Sequence, residues 1–420
     1  MTEKFLIEPC GALQGTVEIS GAKNAALPVL AAALLTEQTC TLQSIPDLSD
    51  VHAMCALLES FGARTHFHAN TLTVDAGGAE PLDASYELVG KLRASFLVMG
   101  SLLARFGRAK VPLPGGCAIG TRPVDLHLKG LAALGASIDH SHGFVSVSAK
   151  KLQGAKIYLD FPSVGATENI MLAAVLAEGQ TVLENCASEP EIVDLANFLN
   201  TIGGKIRGAG TDTIKIEGVR RLEAREIRHS VIPDRIEAGT FMLAAAISRG
   251  DVTLANVMPD HVKPVTAKLK EVNISVEEND SSVRVFCKRD SKIIAADLKT
   301  MPYPGFPTDM QAQFMSLMAT AAGTSVITET VFENRFMQVG ELKRMGADIK
   351  IESRSAIIEG VNRLTGTQVA ASDLRAGAAL VLAALGAKGA TEVSGVQHID
   401  RGYEGFDVRL NKLGARIRRV

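Results

Sequence analysis

The sequence predicts an α/β protein of two domains, built from six copies of one unit with helices inside and sheets or amphipathic helices outside. Three observations predict this fold. A glycine, once replaced by asparagine, follows an amphipathic helix six times along the chain. A second helix in each copy is apolar on nearly every side, so it must be buried. Short strands with alternating side chains flank these helices. Buried helices inside outer sheets are the reverse of a TIM barrel.

The markers of the repeat lie 73, 68, 70, 73 and 68 residues apart. They are Gly62, Gly135, Gly203, Asn273, Gly346 and Gly414. Glycine and asparagine accept the left-handed backbone with which many helices end. In the first copy the preceding helix has an apolar stripe at helical spacing, made by Val51, Met54, Cys55, Leu58 and Phe61. Each marker therefore indicates the end of one amphipathic helix.

The second helix of each copy consists almost entirely of apolar residues. The six segments are 24–35, 96–104, 169–177, 240–247, 314–322 and 376–385. Strands are predicted on either side, at 16–20 and 39–45 in the first copy, and a hairpin at 205–216 in the third. Each unit is thus predicted as strand–helix–strand–helix–strand–strand. Six units favour two groups of three with a cleft between them.

Composition excludes several classes of function. The 420 residues are 46% hydrophobic and 21% charged, with a net charge of −2, which favours neither nucleic acid nor an anionic membrane as a partner. The first residues lack the pattern of a signal peptide, and the longest apolar runs are too short to span a bilayer. The six cysteines form no CxxC pair. We therefore expect a cytoplasmic protein without structural zinc.

Polar residues collect where the chain enters the helices. Before the apolar helices lie Lys23, Asn24, Arg93, Asp234, Arg235, Asp309, Asp373 and Arg375. Before the amphipathic helices lie residues 117–122, Glu191, Glu333, Arg335, Asp400 and Arg401. Helix N-termini already carry partial positive charge, so cations there are unfavourable unless an anion compensates them. Lys23, Arg122 and Arg401 therefore indicate a ligand with phosphate and carboxylate groups.

Cys117 is the only cysteine in a loop rich in glycine and proline, at residues 111–125. Glycines let the backbone approach a ligand closely, and the nearby Arg122 would favour a thiolate. A thiol in this setting can act as an acid near neutral pH and, once ionised, as a nucleophile. The loop is therefore a candidate reaction site.

Structural explanations compete with these functional ones. Asp309 could simply cap the helix that follows it. Lys23 could be a solvated residue at a helix entry. Arg122, Arg375 and Arg401 could be partners in surface or interdomain salt bridges. Inert core positions are expected for Cys40, Cys55, Cys186 and Cys287. The pairs His66–His68 and His140–His142 have no third ligand in the sequence, so we expect no metal site there.

The whole chain strongly resembles the UDP-N-acetylglucosamine 1-carboxyvinyltransferases, the enolpyruvyl transferases that open bacterial peptidoglycan synthesis. The matching segments run in order from the first unit to the last. They are 21–24, 91–95, 114–127, 163–169, 233–237, 306–313, 328–335 and 398–403. The resemblance implies the enolpyruvyl transferase fold, a two-domain inverse α/β barrel. It also implies an N-terminal domain of residues 23–231, a C-terminal domain of residues 1–22 and 232–420, and an active site in the cleft between them.

The resemblance also implies a reaction. The enolpyruvyl group of phosphoenolpyruvate passes to the 3′-hydroxyl of UDP-N-acetylglucosamine, phosphate is released, and no metal or cofactor takes part. Cys117 resembles the family's loop cysteine, which donates a proton to the methylene carbon. The epoxide fosfomycin alkylates this cysteine. Lys23, Arg122 and Arg401 resemble the residues that hold phosphoenolpyruvate, and Asp309 resembles the acceptor of the hydroxyl proton.

Further residues resemble the family's contacts with the nucleotide sugar. They are Asn24, Arg93, Arg122, Pro123, Val124, Asp125, Leu126, His127, Ser163, Val164, Gly165 and Val331. Arg93, Asp373 and Arg375 resemble residues that support order and loop closure at the site. One position departs from the pattern, because Phe161 replaces a basic residue found in some relatives and cannot pair with a diphosphate.

Two other functions stay open. The sister enzyme 5-enolpyruvylshikimate-3-phosphate synthase shares the unit and the reaction type, but the Cys117 loop and residues 122–127 favour the nucleotide sugar. A non-catalytic sensor of nucleotide sugars could use the same scaffold. The joint presence of Lys23, Cys117, Asp309 and Arg401 favours an enzyme, since a sensor would not need the acid.

Overall fold

The computed structural model describes residues 3–113, 124–141, 143–287 and 291–420. Cys117, Arg122, Pro123 and His142 lie outside the described residues. The chain divides into two compact units. We call the described part of residues 21–232 the amino-half unit, and the described part of residues 1–20 and 233–420 the carboxy-half unit.

The described residues of the amino-half unit form three sheets. In spatial order, the strands of the first sheet are Ile227–Ser230, Cys40–Gln43, Thr71–Asp75 and Arg64–His68. The strands of the second are Arg108–Pro112, Phe144–Ser148 and Ser137–Ser141. The strands of the third are Lys205–Arg207, Thr213–Glu217, Gln180–Glu184 and Lys156–Tyr158. The turn of the last hairpin holds Gly208 and Gly210 at φ 84° and 88°, as expected for glycines in a turn.

The described residues of the carboxy-half unit form three more sheets, and all of them have four strands. They contain Ser275–Asn279, Ser282–Phe286, Asp251–Ala255 and Gln14–Glu18; then Leu298–Lys299, Thr324–Thr328, Ser355–Glu359 and Asp348–Glu352; and finally Gln368–Ala370, Thr391–Ser394, Lys4–Glu8 and Arg416–Arg419. The strands of residues 4–8 and 14–18 thus belong to sheets that are otherwise made from the second half of the chain.

One pairing scheme recurs in all six sheets. A strand pairs antiparallel with one strand of a hairpin, and in five sheets it also pairs parallel with a short fourth strand. The exception is the sheet that begins with Arg108–Pro112, where the described residues supply no fourth strand. There the backbone N–H of Ala84 donates to the carbonyl of Lys110 at 3.0 Å.

Six helices form the centres of the two units. They are Lys23–Ala33, Val98–Phe106, Val164–Ala174, Arg235–Ile247, Gln311–Met318 and Leu374–Gly386, and the 3-10 helices Arg93–Leu97 and Thr308–Met310 precede two of them. Most of their residues are fully buried, and each unit has its own apolar core. The predicted arrangement of buried helices inside outer sheets is confirmed.

The outer helices lie beside the sheets. The longer ones are Ser49–Ser60, Asp125–Ala133, Pro190–Thr201 and Pro259–Glu271, and the shorter ones are Tyr86–Lys91, Val339–Arg344, Val396–Ile399 and Phe406–Lys412. Every predicted marker has a positive φ, with values of 94°, 92°, 105°, 68°, 93° and 102° from Gly62 to Gly414. The apolar stripe from Val51 to Phe61 is buried, also as predicted.

Candidate active site

Lys23 is the first residue of its central helix and is 8% exposed. Its ammonium group lies 3.0 Å from Oδ2 of Asp50, which is also buried and belongs to the helix Ser49–Ser60. Asp50 therefore supplies one anion that compensates a cation at a helix N-terminus. The interpretation of Lys23 as a solvated residue is wrong, whereas the neighbouring Asn24 is exposed.

His127 lies in a packed setting within the helix Asp125–Ala133. Its Nδ1 is 3.0 Å from Nδ2 of the buried Asn169, and its ring meets the edge of Phe96 at a centroid distance of 5.3 Å. Burial, together with the charge of Arg93, lowers the pKa of His127 to about 4. The imidazole is therefore neutral at neutral pH and can act as a hydrogen-bond donor without carrying charge.

Ser163 begins the central helix Val164–Ala174. Its hydroxyl accepts a hydrogen bond from the backbone N–H of Ala166 at 3.3 Å, so it is the N-cap. A Cβ placed on Gly165 would lie 3.1 Å from Cε1 of His127, which means that this backbone packs directly against the imidazole. Ser163, Val164, Gly165 and His127 thus form one local group.

Other predicted contact residues lie near this group in the sequence. Val124 is buried, Asp125 is exposed and Leu126 is half-buried at the start of the helix Asp125–Ala133. Phe161 is 45% exposed, and its carbonyl accepts a hydrogen bond from the N–H of Ser163 at 2.7 Å. Arg93 is half-buried at the first position of its 3-10 helix.

Asp309 in the carboxy-half unit lies between two guanidinium groups. Its Oδ1 is 2.7 Å from Nη2 of Arg335, and its Oδ2 is 3.0 Å from Nη2 of Arg375. Both arginines are 5% exposed, while the side chain of Asp309 is 26% exposed. Two cations stabilise the ionised carboxylate, the form that can accept a proton. The following helix Gln311–Met318 has no side-chain cap, so helix capping does not explain Asp309.

Arg335 was part of a matching segment, but the sequence assigned it no role. Its Nη1 is buried and has no hydrogen-bond partner among the described residues. A buried guanidinium donor without an acceptor is unfavourable unless a ligand supplies one. Arg335 therefore holds Asp309 through Nη2 while its Nη1 is left without an acceptor among the described residues.

Hydrogen bonds to buried hydroxyl groups hold the guanidinium group of Arg375 in place. Its Nη1 donates to the hydroxyl of Tyr403 at 3.0 Å, and that hydroxyl also lies 2.9 Å from Oγ1 of Thr240. Burial would lower the pKa of Arg375, but Tyr403, Asp309 and Asp234 more than offset it, so the pKa lies above its ordinary value. Arg375 thus stays charged, and because it is buried its ion pair with Asp309 is not a surface salt bridge.

Glu329 connects the turn of Asp309 with the segment of Val331. It is 1% exposed; its Oε2 accepts from Thr308 at 2.8 Å, and its Oε1 accepts from the N–H of Val331 at 2.8 Å. Oε1 also accepts from the hydroxyl of Thr300 at 2.8 Å. One buried carboxylate therefore fixes both predicted contact segments.

The remaining predicted site residues are placed less fully. Arg401 is half-buried after the helix Val396–Ile399. Asp373 caps the helix Leu374–Gly386 by accepting from the N–H groups of Arg375 and Ala376 at 2.9 and 3.1 Å. Cys117, Arg122 and Pro123 lie outside the described residues.

Cys40, Cys55 and Cys186 are buried, whereas Cys10 and Cys287 are half-buried and pack against the core. Burial raises the pKa of the Cys40 thiol to about 12 and the pKa values of Cys55, Cys186 and Cys287 to about 11. Within the described ranges no group of histidine, cysteine and acidic side chains could hold a metal ion. In those same ranges no helix has the length and apolar character needed to cross a bilayer.

Comparison with known proteins gives a consistent result. The family model for EPSP synthase (3-phosphoshikimate 1-carboxyvinyltransferase) matches residues 7–410. The chain is 58% identical to UDP-N-acetylglucosamine 1-carboxyvinyltransferase 2 of Carboxydothermus hydrogenoformans, covering 100% of this chain and 99% of the relative. It is 59% identical to UDP-N-acetylglucosamine 1-carboxyvinyltransferase 1 of Caldanaerobacter subterraneus, with 100% of both chains covered.

Solved structures share the fold over the whole chain. The enolpyruvyl transferase NikO from Streptomyces tendae has a TM-score of 0.90 at 25% identity, covering 100% of this chain and 99% of that one. EPSP synthase from Acinetobacter baumannii has a TM-score of 0.77 at 21% identity, covering 100% of both chains. These likenesses confirm the predicted fold class.

Proposed function

The chain belongs to the EPSP synthase family, and from this membership we propose that it transfers the enolpyruvyl group of phosphoenolpyruvate to the 3′-hydroxyl of UDP-N-acetylglucosamine. The observation that carries the choice of acceptor is an identity of 55–59% to three relatives with that activity in their names, each covering at least 99% of both chains. The EPSP synthase structure is only 21% identical, which makes shikimate-3-phosphate the weaker candidate.

The chemistry is an addition followed by an elimination. The sugar hydroxyl bonds to C2 of phosphoenolpyruvate and loses its proton to Asp309, while C3 gains a proton from the Cys117 thiol. Phosphate then leaves C2 as C3 returns a proton to the Cys117 thiolate, and the double bond forms again. The two steps together need an acid, a base and groups that stabilise anions.

The carboxy-half unit supports the role of Asp309. Arg335 donates to Oδ1 at 2.7 Å, and Arg375 donates to Oδ2 from Nε at 3.3 Å and from Nη2 at 3.0 Å, so the carboxylate is held in one orientation. Both guanidinium groups place positive charge beside the proposed proton acceptor, which suits an anionic substrate.

In this proposal residues from both halves of the sequence take part in one reaction. The proposed domains are residues 23–231 and residues 1–22 with 232–420. Lys23, Arg122 and Arg401 hold phosphoenolpyruvate, while the group around His127 and Ser163 binds the nucleotide sugar. Both partners are small molecules, and the proposed location is the cytoplasm, where the substrates of peptidoglycan synthesis are made.

Phosphate release tests the proposal directly. With phosphoenolpyruvate, we expect release that depends on UDP-N-acetylglucosamine and is absent with shikimate-3-phosphate. Release with shikimate-3-phosphate alone would assign the protein to the sister activity. Binding of UDP-N-acetylglucosamine without any phosphate release would favour the sensor.

Replacing Asp309 tests the proposed base. Asp309→Ala should lower turnover by roughly 10²- to 10⁴-fold and change substrate affinity far less, because a base acts in the transition state. Asp251→Ala is the matched control, since Asp251 also pairs with an arginine, Arg284, at 2.8 Å but on the surface. A raised dissociation constant with normal turnover would instead assign Asp309 to binding.

Replacing Cys117 tests the reactive thiol. Cys117→Ser should strongly reduce turnover and abolish covalent labelling by fosfomycin, which mass spectrometry of the intact chain detects. Cys287→Ser should label normally, because burial raises the pKa of that thiol to about 11 and leaves it unreactive. Labelling that persists in Cys117→Ser would contradict the assignment.

A further inference from the structure

Asn169 makes two contacts that together fix the orientation of its amide. It is fully buried in the helix Val164–Ala174. Its Nδ2 lies 3.2 Å from the carbonyl of Phe96 and 3.0 Å from Nδ1 of His127. A carbonyl oxygen only accepts, so the amide atom facing Phe96 must be the donor nitrogen. That same nitrogen faces His127, and Nδ1 must therefore be the acceptor.

An accepting Nδ1 carries no proton. In a neutral imidazole the proton then lies on Nε2, and this tautomer is set by the partner of the other nitrogen. Burial and the charge of Arg93 keep the ring neutral by lowering the pKa of His127 to about 4. Within the described part of the chain, Nε2 has no hydrogen-bond partner, and the His127 residue is half-buried rather than fully enclosed.

The surroundings prevent the amide and the ring from exchanging roles. A Cβ on Gly100 would lie 2.4 Å from Oδ1 of Asn169, so the backbone of Gly100 packs closely against this oxygen. Turning the amide over would place Oδ1 against the carbonyl of Phe96, with two acceptors facing each other. Oδ1 has no hydrogen-bond partner among the described residues, so the arrangement is maintained at a cost.

We propose that Asn169 is a positioning residue that holds His127 with its proton on Nε2, so that His127 donates a hydrogen bond to an acceptor oxygen of UDP-N-acetylglucosamine. The assignment of the ligand rests on the proposed function, whereas the assignment of the tautomer does not. Asn169 acts only through His127 and touches no substrate itself. A purely structural role, tying the helix of Asn169 to Phe96, is the competing explanation.

Nitrogen NMR of the full-length protein labelled on its histidines tests the tautomer. In the wild type we expect the His127 signals to show a protonated Nε2 and an unprotonated Nδ1 at pH 7, with assignment by comparison with His127→Gln. In Asn169→Leu this preference should be lost. A protonated Nδ1 in the wild type would overturn the proposal.

Calorimetric titration with UDP-N-acetylglucosamine tests the consequence for binding. Asn169→Leu should weaken binding about 3- to 10-fold, the effect of losing control over one hydrogen bond. In the His127→Gln background, Asn169→Leu should have little further effect, because both changes act through the same ring. Additive losses would favour the structural explanation and overturn the proposal.

Ser101→Ala is the control for a general loss of packing. Ser101 is fully buried in the same unit, and its hydroxyl donates to the carbonyl of Ala31 at 2.7 Å rather than to His127. We expect normal binding and an unchanged His127 tautomer. If the protein binds UDP-N-acetylglucosamine as described but releases no phosphate, the proposed reaction fails and the role of Asn169 stands. If the wild type does not bind it, the donor role fails.

Discussion

Asp309 shows how neighbouring residues set the chemistry of one side chain. Because Arg335 and Arg375 approach different oxygens, the carboxylate is held in place and its negative charge is paired with two cations. These cations compete with an incoming proton for the carboxylate oxygens. The proton transfer from the sugar hydroxyl should therefore accompany bond formation at C2, when the hydroxyl becomes much more acidic.

A second carboxyl group has the opposite surroundings. Glu168, in the helix Val164–Ala174, is 5% exposed, and burial together with the charges of Glu191 and Glu189 raises its pKa well above the ordinary value. Between the pKa of the unfolded chain and this higher value, the folded protein binds a proton that the unfolded chain does not. Stability contributed by this group is therefore present at low pH and lost as the pH rises through the folded pKa.

The variant Glu168→Gln should remove this pH dependence, because its amide stays neutral at every pH. We expect the urea midpoint of the variant to match the wild type near pH 5 and to exceed it increasingly up to pH 9. Glu217→Gln, which changes an exposed glutamate in the same unit, should show no such trend. A difference that stays constant from pH 5 to 9 would contradict the assigned protonation of Glu168.

The sequence allowed us to select single functional side chains, but not to predict which residues contact them. Lys23 and Asp309 were selected because cations and carboxylates gather at helix entries. Asp50 was not selected, and Arg335 was named but not recognised as the partner of Asp309, because these partners are 27 and 26 residues away and follow no local spacing. Asn169 was missed for the same reason, since its contact with His127 spans 42 residues.

At the scale of helices, the six markers have the same backbone conformation but different surroundings. Gly62 and Gly135 have φ values of 94° and 92°. A Cβ on Gly62 would lie 2.6 Å from the carbonyl oxygen of Gly78, whereas a Cβ on Gly135 would have nothing within 4 Å. Asn273 shows that the conformation itself accepts a side chain, with a φ of 68°.

Alanine substitutions separate these two effects. Gly135→Ala should destabilise the protein by about 1–2 kcal/mol, which is the strain of the left-handed conformation alone. Gly62→Ala should destabilise it more, because the backbone of Gly78 must also move. Thermal and urea unfolding of both variants would measure the difference. Equal losses would show that the close approach of Gly78 has no energetic consequence.

The helix starts show where a local pattern stops being informative. The segments predicted at 169–177 and 240–247 begin in the structure at Val164 and Arg235. Apolar content marks the buried part of a helix, but the first turn contains polar residues, as after the N-caps Ser163 and Asp234. Capping residues were therefore the better signal for these starts.

At the scale of the whole molecule, two strands pair away from their own repeats. Gln14–Glu18 precedes the helix Lys23–Ala33 in the chain but pairs with Asp251–Ala255, whereas Ile227–Ser230 pairs with Cys40–Gln43. Both strands are short and each leads into a buried helix, so their local patterns fit either sheet. The repeat could therefore be predicted from the sequence, because it depends only on local patterns. The partners of these strands could not, because the same patterns fit two sheets.

The first strand completes the sixth repeat. Lys4–Glu8 pairs antiparallel with Thr391–Ser394 on one side and with Arg416–Arg419 on the other. In the other sheets this central place belongs to the second strand of a hairpin, such as Ser355–Glu359. The N–H of Lys4 donates to Val420 at 2.9 Å, and the N–H of Val420 donates back at 3.0 Å. In the sixth repeat, Arg416–Arg419 and Lys4–Glu8 thus pair in the way that the two strands of a hairpin do.

A circular permutant tests this equivalence. Joining Val420 to Met1 would link the two strands through three residues, within the usual hairpin loop length of two to five residues. New ends between Asp280 and Ser281 fall in an exposed turn, so this permutant should fold and keep most of its phosphate-release activity. The control is a second permutant with the same Val420–Met1 link but with its new ends between Arg284 and Val285. This cut falls in a strand that has neighbours on both sides, so the control should not fold.

Circular dichroism and the phosphate assay would compare the two permutants. If the permutant opened in the turn unfolds as readily as the one opened in the strand, Lys4–Glu8 and Arg416–Arg419 do not form a unit equivalent to the other hairpins.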